Sequence, residues 1–291
     1  GSYTDGYVGV APGAELLVVK LKQSKQYLRD FFLIKDDVPA FEESDIMLAL
    51  RFLEDYAIRL GKPLIIIFGL GSANGSRTGA SPLAEMMENL TKKPNISVIT
   101  CMGNEANNKC HYKGTVMSAL VPDVMEINVD GTGKGFTMEI WADSLDILSV
   151  SIESPSGEYV PRIPARMGAS MEYTFLYEGS TVTVDYQITE NVAGMEVIFV
   201  RLKTPVEGTY SLTNIKGSYN AWLPLKQFSG QDIYFLKSDP DTTLTVPAAA
   251  DGVISVGAYN HYTGAAYYES GRGYSADGRI KPDFVAPGAG V

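Results

Sequence analysis

Short apolar runs alternate with amphipathic stretches over residues 1–120. A continuous run of β-branched residues over 64–68 predicts a strand buried on both faces of a parallel sheet, and 96–101 predicts the next buried strand. An earlier apolar run over 15–21 predicts another strand of the same kind. Strands that alternate with helices indicate an α/β domain in which crossover helices connect parallel strands.

Two helices are predicted between these runs. Ser44 can cap the first, Asp45 suits the positive end of its dipole, and Gly61 ends it. Ser81 and Pro82 predict the start of the second, with Ser as the cap and Pro at the first helical position. The apolar positions at helical spacing are Ile46, Leu50, Leu53, Ala57 and Leu60 in the first helix and Leu83, Met86, Met87 and Leu90 in the second.

Residues 121–243 follow a different pattern, in which apolar and polar side chains alternate. One such run contains Val182, Val184 and Tyr186. Turn sequences such as Asp130-Gly131 separate the runs, and no long helical pattern occurs. The segment therefore predicts an antiparallel β-sandwich or jelly roll.

Residues 244–291 return to the first pattern, because a short apolar run bracketed by glycines occupies 252–258. A single α/β domain is thus expected from 1–120 and 244–291. The β domain of residues 121–243 is expected to be inserted into it.

Composition and charge exclude several classes of function. Of the 291 residues, 45% are hydrophobic and 20% are charged, which is typical of a soluble globular protein with a large core. The net charge of −10 argues against nucleic acid as a partner, since phosphate binding needs a basic surface. No run approaches the roughly 18 apolar residues of a membrane span. The first residues lack the pattern of a signal peptide, which does not place the protein in the cytosol.

Two cysteines, Cys101 and Cys110, are too few for a disulfide framework. They allow either one loop-closing disulfide or two free thiols. The spacing from Cys101 through Cys110 to His111 does not match a zinc site, so no metal is expected.

Five segments, over 9–16, 66–71, 102–105, 253–258 and 279–288, carry a family resemblance. In sequence and in order, they resemble segments of the subtilisin-like serine peptidases. One departure is Gly69, which stands where the family has the Ser of Ser-Leu-Gly. A β insertion after the Gly-Asn-Glu strand is similar to that of the clostridial spore-germination proteases. The resemblance implies a subtilisin-like parallel sheet with flanking helices, split by a jelly-roll domain.

The resemblance also implies roles for residues near two strand ends. Asn104 matches the family's oxyanion donor, which stabilises the tetrahedral intermediate of peptide hydrolysis. The alternative is that Gly103 and Asn104 form a turn, because both tolerate left-handed backbone. The implied substrate contacts are Gly69, Leu70 and Gly71 as a strand that pairs with the peptide, Cys101, Met102 and Gly103 as a pocket wall, and Glu105 at the pocket rim.

Simpler interpretations of these substrate residues stay open. The segment 69–71 can be a strand end flanked by glycines, and Glu105 can be a solvated carboxylate in a turn. No cofactor is implied by the resemblance, and the expected partner is a peptide or protein substrate. Its own propeptide is a second expected partner. The family places such proteins outside the cell or at the spore or cell envelope.

The family's motifs for the catalytic Asp, His and Ser do not occur in this chain. Its two histidines, His111 and His261, lack the family's surrounding motif. We therefore expect this chain to be part of a longer endopeptidase whose triad lies outside residues 1–291, and to be inactive alone. The alternative is a pseudoprotease of the same fold with a binding or signalling role.

Overall fold

Three α-helices and fifteen strands occur in the computed structural model, which describes residues 9–116, 120–143, 148–164, 166, 168–189, 194–214 and 217–291. The helices are α1 (Gln26–Phe31), α2 (Glu43–Leu60) and α3 (Pro82–Thr91), with short 3₁₀ turns at Lys226–Phe228 and Val246–Ala249. The strands are β1 (Leu64–Phe68), β2 (Ile96–Cys101), β3 (His111–Val116), β4 (Asp123–Asp130), β5 (Gly135–Asp143), β6 (Val150–Glu153), β7 (Tyr159–Ile163), β8 (Ser170–Thr174), β9 (Thr181–Thr189), β10 (Met195–Lys203), β11 (Gly208–Asn214), β12 (Gly217–Trp222), β13 (Asp232–Phe235), β14 (Ile254–Asn260) and β15 (Phe284–Ala289).

A parallel sheet with the order β1-β2-β14-β15 contains the predicted strands of the α/β part. β1 pairs with β2 from Leu64 opposite Ile96 to Phe68 opposite Thr100. Both strands have the predicted bounds. Because the pairing is parallel and in register, the carboxyl ends of β1 and β2 lie side by side.

Helices α2 and α3 cover one face of this sheet, where Ile66, Phe68 and Val98 are buried. On the other face Ile65 and Ile67 are 64% and 80% exposed. The prediction that β1 is buried on both faces was therefore wrong. The physical reason is that both helices pack on the same side, so alternate residues of β1 face away from them.

The predicted strand over 15–21 is also wrong, because the structure describes no strand there. Leu16 and Val18 are exposed, and no strand of the described residues pairs with them. An apolar run without a hydrogen-bonding neighbour does not form a sheet.

The helix ends agree with the sequence at four of the five predicted signals, and one of these is Asp45 in the first turn of α2. Gly61 ends α2 in the left-handed conformation, with a φ of 62°. Ser81 caps α3, because its Oγ accepts from the Ala84 N–H at 3.2 Å, and Pro82 begins the helix. The cap predicted at Ser44 was wrong, since α2 begins at Glu43 and Glu42 occupies the cap position, two residues earlier than predicted. None of the helices in the described ranges combines the length and hydrophobicity that crossing a bilayer requires.

The strands from β3 to β13 form two antiparallel sheets, of order β3-β12-β5-β10-β9-β8 and β13-β4-β11-β6-β7. Buried side chains of both sheets share one core, as Met125 and Ile127 of β4 do with Met138 and Ile140 of β5. Strand β3 precedes the expected boundary at 121 yet pairs with β12. The division at 121 and 243 itself stays a prediction.

A polar clamp joins β14 to β15 at the start of their pairing. The Asp283 carboxylate accepts from the Ser255 N–H at 2.6 Å, from the Ser255 hydroxyl at 2.8 Å and from Lys281 Nζ at 3.0 Å. Burial raises the pKa of Asp283, but these hydrogen bonds and the Lys281 charge outweigh it, so the pKa lies below its ordinary value of 3.8.

Asp283→Asn should lower the free energy of unfolding by about 0.5–1 kcal/mol at neutral pH, because the buried Lys281 side chain loses its charged partner while solvent screens the 42% exposed Asp283. A carboxylate with a depressed pKa contributes stability above its unfolded pKa and loses it as the pH falls through the folded pKa. The difference between the variant and the native chain should therefore shrink below about pH 4. Urea unfolding at pH 7 and pH 3.5 measures it; an equal difference at both values contradicts the role of the charge.

Candidate functional site

The residues singled out from the sequence follow β1 and β2, and a cavity of about 750 Å³ lies beside them. This volume is within the usual range for ligand sites. The predicted site residues that line it are Gly69, Leu70, Gly71, Cys101, Gly103, Asn104 and Glu105. The parallel register explains this arrangement, because it brings the chain segments after β1 and β2 to one edge of the sheet.

Met102 is the predicted site residue that does not line the cavity. Its side chain is 1% exposed and packs in a small core with Leu244, Ala248 and Ala249. The extended backbone at the end of β2 explains the difference, since alternate side chains point to opposite sides. Its carbonyl accepts from the Thr245 N–H at 3.0 Å.

Asn104 is exposed at the mouth of the cavity. Its carbonyl accepts from Asn108 Nδ2 at 3.2 Å, whereas its side-chain amide forms no hydrogen bond with any residue that the structure describes. The left-handed residue of this bend is Gly103, with a φ of 85°. Gly103 and Asn108 thus account for the local turn, and the two N–H donors of the exposed Asn104 amide are not needed for it.

Glu105 is partly buried beside Asn104 rather than solvated. Its carboxylate accepts from Asn108 Nδ2 at 2.9 Å. Burial raises the pKa of Glu105, while the hydrogen bond from Asn108 and the charges of Arg77 and Lys226 act in the opposite direction. A partly buried carboxylate with fixed hydrogen bonds is compatible with a pocket rim.

Thr245 lies between the two segments and was not identified from the sequence. Its hydroxyl donates to the Cys101 carbonyl at 3.0 Å. A Cβ atom at Gly71 would overlap the Thr245 methyl group and lie 2.8 Å from Thr245 Cβ, and one at Gly103 would lie 2.5 Å from the same methyl group. Both glycines are therefore required by close packing against one threonine.

The outer walls of the cavity come from parts of the chain without a recognisable motif. Residues near α1 contribute Phe32 and Ile34, and the segment after β12 contributes Leu225 and Phe228. The Lys35 N–H donates to the Phe228 carbonyl at 2.9 Å and so joins these two walls. Apolar side chains in this part of the cavity can hold apolar side chains of a ligand.

The two cysteines are free thiols, which confirms one of the two alternatives from the sequence. Cys101 is partly exposed at the end of β2, whereas Cys110 is buried. Burial, together with the nearby Glu105 carboxylate, raises the pKa of the Cys110 thiol to about 12, so it stays protonated at neutral pH.

Comparisons with known proteins agree with the resemblance read from the five segments. The model of the subtilase family of peptidases matches residues 209–290. Among solved structures, the chain is similar to the CspB protease of Clostridium perfringens, with 25% sequence identity and a TM-score of 0.75. The similarity covers 88% of this chain but 55% of that chain, so this chain spans little more than half of the protease. No curated protein matches the sequence. The resemblance to subtilisin-like peptidases is thereby confirmed.

Gly71→Ala should destabilise the chain by about 1–3 kcal/mol, because the added methyl group overlaps Thr245. Thr245→Ser removes the nearer of the overlapping atoms and keeps a hydroxyl for Cys101. The same Gly71 substitution should therefore be less destabilising in that background, with a coupling of about 1 kcal/mol.

Gly69→Ala is the matched control, since a Cβ atom at Gly69 has no neighbour within 4 Å among the described residues. It should change the free energy of unfolding by less than about 0.5 kcal/mol. Urea unfolding of the four variants measures all these differences. Additive effects of Gly71→Ala and Thr245→Ser would contradict the packing assigned to Thr245.

Proposed function

We propose that this chain is part of a subtilisin-like serine endopeptidase and contributes the oxyanion donor and the substrate segments. The proposed catalytic Asp, His and Ser lie outside residues 1–291. One observation carries this proposal: the Asn104 side chain is exposed beside the cavity and forms no hydrogen bond within the described part of the chain, whereas the neighbouring Glu105 carboxylate accepts from Asn108. An amide held at a strand end without a structural partner is available to a ligand.

The proposed reaction uses Asn104 when a serine attacks the carbonyl of the scissile peptide bond. Negative charge then develops on the carbonyl oxygen, and the Asn104 amide donates a hydrogen bond to it. Residues 69–71 bind the substrate backbone as an added strand. Cys101 and Gly103 form the wall of the pocket for the residue before the scissile bond, with Glu105 at its rim.

The two antiparallel sheets are, in this proposal, a jelly-roll domain of residues 121–243 inserted into an α/β domain of residues 1–120 and 244–291. Their common core supports a domain of its own. The pairing of β2 with β14 supports a host sheet that continues after the insertion. The proposed partners are a peptide or protein substrate and a propeptide, and the proposed location is extracellular or at the spore or cell envelope.

A pseudoprotease with a binding or signalling role is the second candidate. Gly69 favours it, because this residue replaces the Ser of the family's Ser-Leu-Gly. Retention of an unengaged Asn104 favours the active enzyme. The sequence of the parent gene at the three triad motifs decides between the two.

The purified 291-residue chain should not hydrolyse peptides, because hydrolysis needs a nucleophile and a base within hydrogen-bonding distance. A quenched fluorogenic peptide pool measures this activity. Hydrolysis that is blocked by a serine-directed fluorophosphonate would overturn the proposal that the triad lies elsewhere.

In a full-length parent with an intact triad, Asn104→Ala should lower kcat by about 10²–10³-fold and leave KM nearly unchanged. Removal of the equivalent amide of subtilisin causes a loss of this size. The reason is that the hydrogen bond forms fully only with the oxyanion, so its loss affects the transition state.

Asn108→Ala is the control for this substitution, because Asn108 makes structural hydrogen bonds to Asn104 and Glu105. It should lower the melting temperature, whereas Asn104→Ala should not. Steady-state kinetics and thermal unfolding on both variants separate the roles. A lowered melting temperature with unchanged kcat for Asn104→Ala would make Asn104 a turn residue.

A further inference from the structure

The loop between β1 and α3 continues directly from residues 69–71, and strands of the antiparallel sheets hold it. The Gly75 N–H donates to Glu139 Oε2 of β5 at 2.7 Å. The same oxygen accepts from Trp141 Nε1 at 2.8 Å. Glu139 is thus fixed by its own strand and fixes Gly75, which is 64 residues away in the sequence.

Arg77 makes the second connection between this loop and the antiparallel sheets. Its side chain is buried, with 3% exposure, and Nη1 donates to the carbonyls of Ala73 and Gly75, the latter at 2.7 Å. Its guanidinium lies 4.4 Å from the centre of the Trp222 ring of β12. Burial lowers the pKa of Arg77 to about 10, with nearby Glu139 acting against it, so the group stays charged at neutral pH.

We propose that Glu139 and Arg77 are positioning residues through which the antiparallel sheets hold the substrate segment 69–71 in its binding conformation. That 69–71 is a substrate segment rests on the proposed function. The contacts of Glu139 and Arg77 are observed in the structure and are independent of that function. The antiparallel sheets then contribute to substrate binding in addition to forming a core of their own.

The chemistry of these contacts supports a positioning role. A partly buried carboxylate and a buried guanidinium lose hydration, and apolar side chains could hold a loop without that penalty. Charged hydrogen bonds are directional, and here they fix backbone groups at 73 and 75. Arg77 also adopts a φ of 55°, which is unfavourable for a residue with a side chain and is maintained by the surrounding contacts.

The loop has a further anchor close to residues 69–71. The Val246 N–H donates to the Ser72 carbonyl at 3.0 Å, and Thr245 packs against Gly71. Residues 71 and 72 are therefore held by Thr245 and Val246, and residues 73–77 by β5 and β12. Release of the second anchor should loosen the loop without unfolding the sheet, because the hydrogen bonds of β1 with β2 are independent of it.

Glu139→Met removes the carboxylate and keeps a side chain of similar size. Glu139→Gln keeps one oxygen that can accept from Gly75 and Trp141. The matched control is Glu196→Met on β10, since Glu196 is also buried and accepts from a backbone N–H, that of Leu148, at 3.0 Å. Glu196 forms no contact with the 69–81 loop in the described residues. Hydrogen exchange of the present chain, read by mass spectrometry on peptides that cover 69–81, 96–101 and 135–143, is the primary measurement.

Glu139→Met should speed exchange in the 69–81 peptide by about 10–100-fold and leave the 96–101 peptide unchanged. Glu139→Gln should have a smaller effect, and Glu196→Met should have none in this loop. Unchanged exchange over 69–81 in Glu139→Met, or an equal increase in Glu196→Met, would overturn the proposal. Equal effects of Met and Gln at 139 would overturn the role of the acceptor oxygen.

The second measurement is KM for a quenched fluorogenic peptide in a parent with an intact triad. Glu139→Met should raise KM by about tenfold with kcat changed less than about threefold, because a substrate segment contributes ground-state binding. Faster loop exchange with unchanged KM would overturn the link to substrate binding. An inactive parent would instead contradict the proposed endopeptidase, and the exchange result would still decide whether Glu139 holds the loop.

Discussion

The parallel pairing of β1 with β2 is the constraint on which the candidate site depends. Five consecutive residue pairs, from Leu64 with Ile96 to Phe68 with Thr100, fix the two strands in register. The segments that follow are then adjacent, although about thirty residues of loop and helix separate them in the chain. A register shift would displace Gly69 from Cys101 by a strand residue, roughly 3.3 Å, which exceeds the tolerance of a hydrogen-bonded site.

The pairing alone does not shape the cavity, because both strand ends lead into irregular backbone. Thr245 supplies the missing support from a third segment, with its amide on the Met102 carbonyl and its hydroxyl on the Cys101 carbonyl. Its methyl group fits only because residues 71 and 103 are glycines. The cavity wall is thus set by three segments that pack at van der Waals distance, and a change in one has to be matched in another.

Local patterns predicted much of the fold. The apolar runs at 64–68 and 96–101 became strands with those bounds, and Ser81 and Gly61 act at the predicted helix ends. Which face of β1 is covered could not be read from its five residues, because it depends on where α2 and α3 pack. The same applies to 15–21, whose apolar run has no pairing strand within the described residues.

The candidate site was likewise only partly predictable from the sequence. Short motifs mark Asn104 and residues 69–71, whereas no motif marks the residues that hold them in place. Thr245 contacts Cys101 across 144 positions and Glu139 contacts Gly75 across 64, and single residues at such separations leave no pattern in one sequence.

The polar groups around the cavity fall into two kinds, those that are hydrogen-bonded within the described part of the chain and those that are not. Glu105, Asn108, Thr245 and Arg77 each bond within the chain and thereby build the site. Asn108 bonds the backbone carbonyl of Asn104, while the Asn104 side-chain amide forms no hydrogen bond within the described residues. Catalytic electrostatics require that combination, because a donor that must first break an internal hydrogen bond or reorient loses part of its stabilising free energy.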